Sequence, residues 1–369
     1  MPSHLFSPVR LGPVALANRI MVSPMAQYSA ADHRPQPWHL QHLGGLAVSG
    51  PGLVMIEATA VEPMGYGNPG NLALHSDAQE EAFAGLIAGI RSFSDTPLGL
   101  QLNHSGRKGS LAHPADGGQP LHPGAGGWPL CAPSALAFGA GWPVPQALDA
   151  QGLLRVKQAF VQAAERAARL DIAVLELHAA HGYLLHSFLS GLSNRREDAH
   201  GGTPVGRMRF PLEVVEAVRA AWPADRALGM RINCRDWVDG GIEVEDMVCF
   251  AAALRRLGCD YVCVSSGSIV EHARVPAAPG YLVPYAGQIR AEAGIATVAV
   301  GMIVEPWRAE AAIASGQADM VAIARGFLDD PRWVWHAAEE LGETLPYRFQ
   351  YERARPAVWG GAGLWRRRS

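Results

Sequence analysis

The sequence predicts an α/β fold, a (β/α)8 TIM barrel, as a single domain with a Gly/Pro-rich lid insertion after the third strand. Three observations predict it. Eight short β-rich runs recur along almost the whole chain. Each is nearly continuous in apolar residues, which suits parallel strands covered on both faces. A helical pattern or a helix-bearing connection follows each run, the alternation that builds a parallel sheet.

The elements follow in order. The first strand is read at 19–23 (RIMVS), followed by a weaker, glycine-rich helix at 41–50. The second, 52–61 (GLVMIEATAV), leads to a helix at 78–93, and the third is 97–104 (PLGLQLNH). Residues 105–150 break the rhythm. A Gly- and Pro-rich stretch of that length inside a compact domain reads as a lid or functional loop, and Trp128 and Trp142 point to packed structure within it. Beyond it Leu153, Val156, Phe160, Ala164 and Ala167 recur at three- and four-residue spacing, one apolar helical stripe. Strands at 171–178, 227–234, 260–266, 296–301 and 319–325 then alternate with helices at 206–221, 244–257, 285–293, 305–315 and 331–341. Pro306 and Pro331 each fall in a first helical turn, where a missing N–H costs nothing. The rival arrangement, a doubly wound open sheet, requires a glycine-rich turn after the first strand; the chain there reads PMAQYSAAD. The barrel domain is read as 1–355, with 356–369 a C-terminal tail that is mobile or contacts a neighbouring subunit.

Composition narrows the partners. The chain has 369 residues, 49% of them hydrophobic, and a net charge of −3. No basic face is implied, so nucleic acid is not an expected partner. No apolar run spans a bilayer and the N-terminus lacks a signal-peptide core, so no membrane association and a cytoplasmic location are expected. The cysteines number 5, without a C-x-x-C pair, and read as reduced thiols; Cys259 and Cys263 read as small core residues.

In such barrels the active site lies at the carboxyl ends of the strands. Those ends carry Pro24, Met25, Ala26 and Tyr28, then Ala58 and Thr59, Gln101 and His104, and His178, His181 and Tyr183. Arg231 and Asn233, Ser265, Ser266 and Gly267, Gly301 and Arg325 complete the rim. Donors and two cations dominate, and Glu176 is read as turned away by strand alternation. Two histidines without converging carboxylates make a poor metal site, so no metal is expected. The rim suits an anionic, planar cofactor. Arg325 and the glycines fit a phosphate beside the last strands. Arg231 would face an electron-rich ring edge, and Gln101 would bond a heterocyclic amide. Against this, Arg231 also reads as a member of an internal ion pair, and Gly301-Met302 as plain packing.

The stretches LANRIMVSPMAQYS, LQLNHSGRK, APSALAFG, ELHAAHGYLLHSFLSGLSNRREDAHGG, RINCRDW, AVGMI and QYER, in this order, resemble the old yellow enzymes, FMN-dependent ene-reductases. The bacterial branch of xenobiotic reductases and their thermostable relatives is the most similar. The resemblance runs from about Leu5 to Arg353. It implies non-covalent FMN, reduced by NADPH or NADH. It implies that Ser23, Pro24, Met25 and Ala26 line the flavin, that Ala58 and Gln101 contact its ring, and that Arg231 faces its pyrimidine edge. Val300, Gly301, Ala324 and Arg325 would hold the phosphate. His178 and His181 would bind the carbonyl oxygen of an enone, imide or nitroalkene, Tyr28 would cover it, and Tyr183 would protonate it after hydride transfer in a ping-pong cycle. The family implies a homodimer or homotetramer in which Arg353 reaches a neighbour's site. Two alternatives stay open: a reductase of CoA-linked or aromatic substrates, and a barrel that binds flavin or ligand without turnover. The chain departs from the branch at Ala26, where cysteine is usual, which implies an altered flavin potential. It departs again at IARG, where Ala324 replaces glycine and needs an allowed φ.

Overall fold

The computed structural model describes residues 2–362. Eight parallel strands close into a barrel: β1 (Ile20–Val22), β2 (Leu53–Ala60), β3 (Leu98–Asn103), β4 (Val174–Ala179), β5 (Ala227–Asn233), β6 (Tyr261–Ser265), β7 (Ala296–Ala299) and β8 (Met320–Ile323). Seven fall within a predicted run, and β4 passes the end of its run by one residue, Ala179. β3, β4 and β5 are buried along their full lengths, as strands wrapped by helices must be. Space inside the barrel is matched across strands. A Cβ on Gly229 would lie 2.1 Å from the Tyr261 ring, so this glycine on β5 makes room for the tyrosine of β6.

The outer ring comprises α1 (Pro37–Ala47), α2 (Asp77–Arg91), α3 (Ala150–Arg169), α4 (Pro204–Ala221), α5 (Val244–Arg256), α6 (Val283–Ala293), α7 (Pro306–Ala314) and α8 (Trp333–Glu340). Side-chain caps start several of them. Asp149 accepts the Gly152 N–H at 2.7 Å at the head of α3, and Thr203 accepts the Gly206 N–H at 3.1 Å at the head of α4; each such cap stabilises by about 1 kcal/mol. Pro306 opens α7 as expected. Pro331 does not open α8, which begins at Trp333. The Asp330 carboxylate accepts the Arg332 N–H at 2.9 Å and its carbonyl the Trp333 N–H at 3.0 Å, so the turn is organised before the first helical residue.

Three short elements escaped the periodicity. A hairpin of Val9–Leu11 and Val14–Leu16 precedes β1. Brief helices, Leu184–Leu189 and Arg325–Asp329, follow β4 and β8. Runs this short leave too few repeats to register a period. Parts of residues 105–150 pack against the barrel, while 114–117 and 122–126 are exposed. Cys131–Ala132 pairs with Gln146–Ala147, Trp128 meets Tyr66 edge-on at 6.3 Å, and the Trp142 indole N–H donates to Glu271 at 2.7 Å. The buried Arg107 guanidinium ties this segment to the loop after β6 by donating to the Ile269 carbonyl at 2.6 Å. The five cysteines are all free, and Cys259 and Cys263 are buried in the core. Among the described residues, no helix is long and apolar enough to cross a membrane.

Candidate active site

β4 ends in a turn that few sequences tolerate. His181 adopts φ +59° and Gly182 φ +79°. For a non-glycine residue that conformation is costly, and such strain persists only where surroundings impose it. Here the His181 N–H donates to Asn233 Oδ1 at 3.2 Å, and Lys108 Nζ donates to the His181 carbonyl at 2.7 Å. The turn brings His178, His181 and Tyr183 together. The ring centroids of His178 and His181 lie 4.9 Å apart, and those of His178 and Tyr183 also 4.9 Å. His178 Nδ1 accepts the Ala180 N–H at 3.2 Å, His178 Nε2 faces His181 Nδ1 at 3.2 Å, and His181 Nε2 faces Ser265 Oγ at 2.7 Å. Burial, reinforced by the Arg231 cation, holds both imidazoles well below the usual histidine range. They are therefore neutral donors at pH 7. Burial, aided by the Tyr28 phenol, raises the Tyr183 hydroxyl above its ordinary value and keeps its proton in place.

Beside this cluster opens a cleft of about 510 Å³. Ser23, Arg231, Val300, Gly301, Ala324 and Arg325 all line it. Arg231 is buried; its Nη1 donates to Ser23 Oγ at 2.9 Å, while its Nε has no partner. A buried, unmatched cationic donor calls for an acceptor from a ligand. At the far corner Arg325 is exposed and makes no hydrogen bond or ion pair among the described residues. Gly301 adopts φ +108°, open only to glycine without strain, and a Cβ there would lie 3.1 Å from Leu282 and Tyr281. Ala324 has φ −106°, which meets the condition set by its replacement of glycine. Pro24, Met25, Ala26 and Ala58 are half-buried at the mouth, Ala58 standing out in an otherwise buried strand beside a register shift. An unmatched arginine in the interior, an unpaired arginine at the corner and a glycine-lined backbone between them fit a planar ring bearing a phosphate, and so fit FMN.

Some rim residues are placed otherwise than expected. Glu176 is not turned away. A strand's side chains alternate with period two, so residues 176 and 178 share a face; Glu176 lies fully buried inside the barrel, one step below His178. It accepts from Gln101 Nε2 at 2.7 Å and from the Tyr261 hydroxyl at 3.2 Å. Burial raises its carboxyl above the usual range. Gln101 is thus oriented from beneath by the Glu176 carboxyl. The same alternation sends His104 out of the site. Its Nε2 meets Glu62 at 2.9 Å and Cys131 Sγ at 3.6 Å, while Arg155 Nε donates to Glu62 at 3.0 Å. Tyr28 is 42% exposed and held by its carbonyl, which meets His113 Nε2 at 2.7 Å. Arg353, expected at a neighbour's site, does not line this chain's cleft. It is exposed in the turn Phe349–Ala354, whose Tyr351 packs on Trp335 of α8. Trp359 is half exposed, and Trp365 lies outside the described residues.

Lys108, in the stretch LQLNHSGRK, belongs to the site. Its ammonium lies 5.4 Å from the Tyr183 ring centroid. Burial, with Arg107 nearby, lowers it to about 8. Sequence periodicity carries no signal for it, because the insertion's fold delivers it.

The His104 cluster sets a pH dependence of stability. Burial alone would lower His104, but Cys131 and Glu62 outweigh it and raise the group to about 9. A raised folded value adds stability below the unfolded value near 6.5, and that stability is lost as pH rises through about 9. Scanning calorimetry from pH 6.5 to 9.5 is expected to show a loss of order 2–3 kcal/mol, absent in His104→Gln. Parallel profiles in both proteins would refute the pairing.

The family model described as the NADH:flavin oxidoreductase / NADH oxidase family matches residues 4–343. The NADPH dehydrogenases of Geobacillus thermodenitrificans and Bacillus subtilis are 39% and 38% identical over 355 residues, 96% of this chain and 99% of theirs. Morphinone reductase superposes with a TM-score of 0.78 at 27% identity, covering 94% of this chain and 91% of that one. A 2-naphthoyl-CoA reductase complex superposes with a TM-score of 0.82 at 22% identity, a likeness of fold alone; this chain spans 52% of its length.

Proposed function

The chain belongs to the NADH:flavin oxidoreductase / NADH oxidase family, that of the old yellow enzymes, and from that premise we propose that it reduces activated carbon–carbon double bonds. It is an NADPH dehydrogenase of that family, using FMN with NAD(P)H as reductant. The proposed substrates are α,β-unsaturated ketones, aldehydes and imides, and nitroalkenes. Ser23, Arg231 and Arg325 line the cleft that would hold FMN, which when bound would supply the hydride-transfer chemistry between NAD(P)H and the substrate.

The observation that carries this reading is the convergence of two neutral imidazoles and a protonated phenol beside that cleft. His178 and His181 donate to the substrate's activating oxygen and stabilise the negative charge that builds there. Tyr183 delivers a proton to the adjacent carbon as general acid. Lys108, half-buried with its ammonium 5.4 Å from the Tyr183 ring centroid, places a cation beside the phenol. Tyr28 covers the substrate from solvent. NAD(P)H and the oxidising substrate take turns at one mouth, a ping-pong sequence. We assign Arg353 to a neighbouring subunit's site in a homodimer or homotetramer. Its exposure, and that of Phe349, Val358 and Trp359 around it, supports an interface at this end of the molecule.

The test is spectroscopic. The purified protein should be yellow, bleach with NADPH without oxygen, and regain its colour on adding cyclohexenone. Protein that bleaches but is not reoxidised by any enone or nitroalkene would overturn the substrate assignment.

A further inference from the structure

We infer that Ser265 sets the tautomer of His181, and thereby decides whether the histidine pair offers a substrate oxygen one hydrogen-bond donor or two. The inference rests on the reading of His178 and His181 as the oxygen-binding pair. Counting hydrogens carries it. The Ala180 N–H donates to His178 Nδ1 at 3.2 Å, so a neutral His178 must carry its hydrogen on Nε2. That Nε2 faces His181 Nδ1 at 3.2 Å, and His181 Nε2 faces Ser265 Oγ at 2.7 Å.

Two arrangements are open to His181. In one, hydrogens run from His178 Nε2 to His181 Nδ1 and from His181 Nε2 to Ser265. His181 Nδ1 is then an acceptor and repels a substrate oxygen. In the other, His181 carries its hydrogen on Nδ1. Both inward nitrogens are then donors, pointed at each other and relieved only by an oxygen between them. This second arrangement requires a donor at His181 Nε2. Ser265 supplies it, because a hydroxyl donates as readily as it accepts. Arg231 Nη2 already approaches Ser265 Oγ at 3.4 Å, which leaves the serine hydrogen free for the imidazole. Ser265 ends β6 and is 4% exposed, so water is a poor substitute. The chain Arg231–Ser265–His181 thus turns a fixed interior cation into a donor at the substrate. Ser265 also lines the cleft, and toward the pair it is a positioning residue that acts through His181.

The experiment uses the FMN-loaded protein, its Ser265→Ala and Ser265→Thr variants, and a para-substituted phenol that binds as an oxygen anion. Phenol affinity is read from the long-wavelength band formed on the flavin. The tautomer is read from 15N-histidine spectra of the phenol complex. The wild type should show His181 hydrogenated on Nδ1. Ser265→Ala should lose that signature and bind phenol roughly ten- to hundredfold more weakly, as for the loss of a hydrogen bond to a charged group, with Ser265→Thr close to the wild type. A wild-type complex hydrogenated on Nε2 overturns the inference without any variant. So does an alanine variant binding phenol within twofold of the wild type, or a threonine variant as impaired as alanine. A wild type that holds FMN yet binds no phenol overturns the reading of the histidine pair, and this inference with it. Failure confined to the variants overturns this inference alone.

Discussion

Replacing His178 and His181 together by alanine is expected to lower kcat/KM for an enone by about a thousandfold or more, with FMN still bound. One donor aimed at a developing oxyanion contributes about 10²–10³ in rate, and two donors acting on the same oxygen are not additive, so the pair falls short of the product. The residues assigned to the cofactor lie on other strands: Ser23 beyond β1, Arg231 on β5, Gly301 beyond β7 and Arg325 beyond β8. Visible absorbance should therefore remain that of the bound flavin. Stopped-flow reoxidation by cyclohexenone checks the rate, and a variant within tenfold of the parent would remove the pair from the chemistry. The electrostatics add a condition. Burial and Arg231 hold both imidazoles well below their ordinary range. The parent rate should therefore show no histidine titration between pH 6 and 8. A break near 6.5 would mean that an imidazolium, and not a neutral N–H, binds the oxygen.

Tyr183→Phe is expected to slow reoxidation by an enone about 10²–10⁴-fold while leaving reduction by NADPH close to the parent rate. The range is that of a positioned general acid. The split between the two half-reactions separates a proton donor from a structural residue, because no substrate carbon requires a proton when NADPH reduces the enzyme. Phenylalanine retains the ring, its edge contact with His178 at 4.9 Å and its contact with the Lys108 ammonium at 5.4 Å. The site's shape should therefore survive. Because the Tyr183 hydroxyl is raised above its ordinary value by burial, the phenol itself should cost no activity until it ionises in strong base, and any fall near pH 8 belongs to Lys108. Equal slowing of both half-reactions would show that the tyrosine shapes the mouth and donates no proton.

Much of this was legible in the chain as written. Each barrel strand lies on an apolar run, β4 passing its end by one residue, because burial on both faces writes itself into consecutive residues. The helices repeat every three or four residues for the same reason. His178, His181 and Tyr183 stand close in sequence, so one turn suffices to gather them. What escaped was contact between distant segments. Lys108 reaches the site because the insertion folds back onto the turn after β4.

Glu176 and His104 draw the boundary most sharply. Alternation is a rule of local geometry and could have been applied residue by residue to both. The partners could not, since Gln101, Tyr261, Glu62 and Cys131 come from strands and loops that meet only in the closed barrel. By itself the sequence determined the strand and helix order, the closed sheet and the identity of the donors at its mouth, because periodic burial and short-range turns are properties of neighbouring residues. Tertiary structure alone decided which donors face one another, which charges are buried and which carboxyl supports Gln101. Hydrogen bonding and desolvation depend on distances of a few ångströms between residues far apart along the chain.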